Sequence, residues 1–126
     1  MDNPELQSMV RPWSEILEFY TGQRHAMDFS KLAPMWELVR AIEASRYAIG
    51  LYAWTSHWDL FIVQTPVEYP YHGPRLRISL LGENQLEFRY IDTPYIEKQW
   101  SRTVDGMDGF RRLESFIQQL HWFERV

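Results

Sequence analysis

The chain has 126 residues, 45% of them hydrophobic and 24% charged, with a net charge of −4. That size suits one domain, residues 1–126, and that composition lies well above the one that leaves chains unfolded. The acidic balance offers no general attraction to phosphate backbones or anionic lipid, and the lack of cysteine removes disulfides, thiolate nucleophiles and thiolate metal sites.

Residues 1–11 read as a polar arm in which Leu6, Met9 and Val10 can pack a short turn. No basic leader with an apolar run stands at the start, and no window approaches the ~20 apolar residues that cross a bilayer. The expected location is therefore cytoplasmic, without membrane contact. A first helix begins at Pro12, with Trp13, Ile16, Leu17 and Tyr20 on one face and Gly22 as its stop. Asp28 and Ser30 can cap a turn ahead of a second helix, which runs from Pro34 through Met35, Leu38, Val39 and Ile42 to about Ser45.

The segment YAIGLYAWTSHWDLFIV, 47–63, reads as a hairpin with strands at Ala48–Trp54 and Trp58–Gln64 and a turn at Thr55, Ser56 and His57. Both faces are apolar: Ile49, Leu51 and Ala53 lie on one, Tyr52 and Trp54 on the other. Strands of this kind sit centrally in a sheet or are covered on both sides. Pro66, Pro70 and Pro74 then make the next ten residues a loop.

Strands at Arg75–Leu81 and Leu86–Ile91 alternate cleanly about the turn Gly82–Gln85, and Lys98–Val104 adds an edge strand. The last helix starts at Asp105 or Asp108 and carries Phe110, Leu113, Phe116, Ile117 and Leu120 through to Trp122. The resulting fold class is α+β, an antiparallel meander of four or five strands packed on one face by three helices.

The motifs of catalysis are missing. His25, His57, His72 and His121 share no ligand spacing, so no metal or cofactor is expected. His57 and Asp59, two apart, can orient an imidazole, but a base also needs a nucleophile or a held water, and an exposed hairpin tip is the simpler reading. The serines lack a GxSxG elbow, DGMDG at 105–109 lacks the ligands of a calcium loop, and its glycines form no phosphate loop.

Two surfaces remain. Tyr52, Trp54, Trp58, Tyr69, Tyr71 and His72 form an aromatic excess around the hairpin and the Pro-rich loop, a composition typical of protein-binding sites. They point to a non-enzymatic adaptor or inhibitor that binds a protein partner or its own copies. Arg75, Arg77 and Arg89, with Arg102 nearby, suggest as an alternative a small-molecule or anion pocket, with an enzyme as one form of it. Nucleic acid is disfavoured by Glu87 on the same face and by the net charge.

Overall fold

The computed structural model describes residues 8–22, 29–82 and 84–122. Among the described residues four helices accompany a five-stranded antiparallel sheet, an α+β fold with elements in the order α-α-α-β-β-β-β-β-α. Helix α1 spans Trp13–Gly22, α2 spans Ala33–Glu43 after a 3-10 turn at Phe29–Leu32, and α3 is one turn at Tyr47–Gly50. The strands are β1 Tyr52–Ser56, β2 Asp59–Val63, β3 Arg75–Leu81, β4 Gln85–Ile91 and β5 Trp100–Asp105, and helix α4 spans Gly109–Gln119. Their spatial order β1-β2-β3-β4-β5 is that of an open meander. The cap expected at Asp28, together with Leu6 and His25, lies outside the described residues.

Cross-strand register sorts the side chains onto two faces. Ala53 opposes Ile62, Ile62 opposes Leu76, Leu76 opposes Tyr90 and Leu86 opposes Val104, which builds one continuous apolar face. Helices α1, α2 and α4 cover it, lying against β1, β4 and β5 respectively. Their inward side chains Ile16, Tyr20, Leu38, Val39, Ile42, Leu113 and Ile117 complete the core. Two buried polar groups are satisfied within it: the Trp13 indole donates to the Leu51 carbonyl at 2.9 Å, and the Tyr20 hydroxyl donates to the Trp58 carbonyl at 3.1 Å.

The first hairpin is shorter than its sequence suggests. Residues 47–50 form the helical turn α3, because Ser45 Oγ accepts from the Tyr47 amide at 3.1 Å and donates to the Ile42 carbonyl at 2.8 Å. Tyr47 and Leu51, four apart, are buried while Ile49 is 84% exposed, so a short apolar run that also fits period two obeys helical spacing here. The β1–β2 turn is His57–Trp58, with His57 in the left-handed region at φ 56°.

The last helix also stops early. His121, at φ 58°, reverses the chain after α4, and the Trp122 amide donates to the Ile117 carbonyl at 3.0 Å. Trp122 is thereby folded back onto Phe116 and Tyr90, with ring centroids 5.3 and 6.2 Å away. At the other end of α4, Asp105 caps the 3-10 turn Gly106–Asp108 by accepting from the Met107 amide at 2.8 Å. Gly106 closes this junction by donating its amide to the Asn84 carbonyl, where a β-carbon would sit 2.7 Å from that oxygen.

Candidate functional site

The face of the sheet away from the helices divides into two halves. On the first, Trp54 of β1 stands opposite Phe61 of β2, and the two rings stack with centroids 5.2 Å apart and planes 3° from parallel. Tyr71 meets Trp54 edge-on at 6.3 Å, held by its hydroxyl donating to the Pro74 carbonyl at 2.9 Å. Met9, Val10, Val63 and Val67 fill the rest of this small second core, with Tyr52 at its margin. Residues 8–11 are docked by the Met9 amide donating to the Val67 carbonyl and the Arg11 amide donating to the Ala53 carbonyl.

The chain thus covers its own aromatic face, and Trp54 is only 8% exposed. Trp58 serves the main core from the other side, 5.5 Å from Phe19. Of the six aromatic positions singled out from the sequence, Tyr69 and His72 are exposed, both in the Pro-rich loop.

The second half of this face is ionic. Arg77 and Arg89 oppose one another across β3 and β4, and Glu87 lies against both, 3.6 Å from Arg77 and 3.2 Å from Arg89. Asp59 approaches Arg77 at 4.0 Å, and Gln99 accepts from Arg89 at 3.3 Å. Two guanidiniums and two carboxylates balance here, and partly exposed pairs of this kind contribute roughly 0.2–1 kcal/mol each. Asp59 therefore faces an arginine, while His57 stands exposed at the hairpin tip with Ser56 Oγ 3.5 Å from its ring nitrogen.

Arg75 is separate from that network. It donates to the Gly73 carbonyl at 2.8 Å and, with His72, Ile91, Asp92, Thr93 and Pro94, lines an open cleft of about 270 Å³. The structure brings His72 and Arg75 together and leaves Arg77 and Arg89 outside. Arg102 does not join them either: it opposes Phe88 on the helix-covered side of the sheet.

Arg102 has different company. It shares a shallow cleft between β5 and α4, about 30 Å³ in volume, with Trp100, Arg112, Ser115, Phe116 and Gln119. Trp100 rests on Phe116 at 5.5 Å yet remains 42% exposed, and Tyr95 and Ile96 just before it are 59% and 70% exposed. Arg102 and Arg112 come from separate elements, β5 and α4, that no local pattern joins. What the sequence does show is the buried stripe Leu113, Phe116 and Ile117, which leaves Arg112, Ser115 and Gln119 along one flank of α4.

Among the described residues no group of three or more His, Asp or Glu side chains is placed to hold a metal ion. No helix among them is long and apolar enough to cross a membrane. No family model, curated protein or solved structure matches this chain. Two surfaces among the described residues stand out, the cleft at His72 and Arg75 and the side of the sheet formed by β5.

Proposed function

We propose that this chain is a non-enzymatic protein-binding domain, an adaptor or inhibitor, that receives its partner along β5. The observation that carries the reading is the asymmetry of the two sheet edges. At β1 the outer edge is bridged by Arg11 at Ala53, whereas the outer side of β5 has no backbone partner among the described residues. An unpaired edge presents a row of amides and carbonyls that template a further strand, and strand addition is a recurring mode of protein recognition. Tyr95, Ile96 and Trp100, all exposed, supply apolar contact area at the start of that edge. A second copy of the chain belongs to the same class of partner.

The test is affinity capture with the wild-type chain and with an Ile96→Ser/Trp100→Ala variant, read by quantitative mass spectrometry. A protein retained by the first and lost by the second is the expected result. Identical sets from both refute the assignment to β5.

The cleft at His72 and Arg75 supports a second reading, a small-molecule or anion binder. Its volume, about 270 Å³, lies just below the range of roughly 300–1,000 Å³ usual for small-ligand sites. Under that reading Arg75→Ala abolishes thermal stabilisation by the bound anion or metabolite, and a panel of such compounds that leaves the wild-type melting temperature unmoved counts against it.

A further inference from the structure

Arg102 and Arg112 are unusual among the arginines of this fold. Arg75, Arg77, Arg89 and Arg111 are each held by a carbonyl, a carboxylate or an amide oxygen. Among the described residues neither Arg102 nor Arg112 has a hydrogen bond or an ion pair, although both line the cleft between β5 and α4. The described acids closest to them along the chain are engaged elsewhere: Asp105 accepts from the Met107 amide, Asp108 from Arg111 and Glu114 from the Tyr47 hydroxyl. Two guanidiniums without a partner among the described residues thus stand beside the outer edge of β5.

Resting on the strand-addition reading above, we infer that the partner is an acidic extended segment, paired with β5 and placing carboxylates against Arg102 and Arg112. The geometry follows from strand periodicity. Trp100, Arg102 and Val104 point to the helix side, so every second residue of an added strand points there too. A carboxylate opposite or diagonal to Arg102 comes within reach of its guanidinium and overhangs the cleft, where Arg112, Ser115 and Gln119 offer further donors. Trp100 gives the apolar part of the same strand a surface to lie on.

The arrangement also selects against other occupants. Centred pairing of two β5 strands sets Arg102 opposite or diagonal to its own counterpart, a like-charge contact that disfavours a second copy. A basic or neutral segment leaves both guanidiniums uncompensated.

The probe is a blocked peptide of alternating threonine and glutamate long enough to span β5, compared with its threonine–lysine counterpart. Binding is followed by tryptophan fluorescence and amide hydrogen exchange. The glutamate peptide is expected to bind and protect the β5 amides, and the lysine peptide is not. An Arg102→Gln/Arg112→Gln variant should bind the glutamate peptide about tenfold more weakly with unchanged melting temperature, since both side chains lie outside the core. Arg102→Glu should reverse the preference between the two peptides.

If both peptides protect β5 equally, strand addition stands and the charge assignment is overturned. If neither protects β5, strand addition itself is refuted. An oligothymidylate that binds more tightly than the glutamate peptide, and loses that binding in the double glutamine variant, overturns the inference in favour of a phosphate site. Dimerisation that protects β5 without any peptide overturns it in favour of a second copy.

Discussion

Replacing Trp54 by alanine tests whether the aromatic face is closed by the chain itself. A tryptophan side chain buries roughly 150–250 Å², about 4–6 kcal/mol at ~25 cal/mol per Å². That is an upper bound, because unfolded chains already hide part of their apolar surface. The cover over Trp54 consists of residues 8–11 and the Pro-rich loop, joined to the sheet by few backbone bonds, so it can settle into the space left behind. The loss should therefore sit near the bottom of the usual range for such truncations, about 3 kcal/mol. A domain of this size has roughly 5–15 kcal/mol in hand, so the variant still folds. Urea unfolding followed by far-ultraviolet circular dichroism is the suitable assay, since the substitution removes a fluorophore. The midpoint should fall with the slope unchanged. Trp54→Phe, which keeps a ring against Phe61, should lose only about 1 kcal/mol. A loss below about 1 kcal/mol for Trp54→Ala, with partner binding reduced instead, would refute the view that this ring is core.

Three further outcomes are expected. Glu87→Gln leaves Arg77 and Arg89 facing one another without their shared carboxylate, so stability should drop by about 1 kcal/mol at low salt and recover in high salt; a loss indifferent to salt contradicts the network. Tyr20 is fully buried, and its phenol pKa is pushed up, by desolvation first and by Asp59 second. The folded chain then keeps that proton above pH ~10 while the unfolded chain releases it, so stability should fall with rising pH there, by roughly 1.4 kcal/mol per unit. Tyr20→Phe should remove that component of the slope while costing about 1 kcal/mol at neutral pH for the hydrogen bond to the Trp58 carbonyl; chemical unfolding at several alkaline pH values separates the two. Gly106→Ala places a methyl 2.7 Å from the Asn84 carbonyl and should cost about 1–3 kcal/mol in thermal unfolding, whereas Gly22→Ala, with nothing within 4 Å, should be neutral or slightly stabilising.

Most of the secondary structure was legible in the sequence because it is written in local periodicity. The stripes on α1, α2 and α4 and the alternation in β3 and β4 each require burial on one side only, which the residues display wherever they stand. Local pattern failed where two periods fit the same residues. YAIGLY satisfies both a strand and a helical turn, and the Ser45 bonds together with the pocket for Tyr47 decide for the turn. Reversal at His121 was likewise hidden, since a left-handed histidine leaves no mark on the apolar pattern.

The sites were less legible, for a reason of distance. Composition by itself determined that the hairpin carries more aromatic surface than one sheet face needs, and that arginines cluster on neighbouring strands. Only tertiary structure decided that residues 8–11 and the Pro-rich loop fold over Trp54, because contacts between segments distant in the chain, residues 8–11 lying more than forty positions before Trp54, depend on where the chain returns. It alone set Arg102 across from Phe88 and beside Arg112, away from Arg77 and Arg89. A strand's parity says which residues share a face, but which face meets a helix, and which edge stays open, is settled only when all five strands are in register.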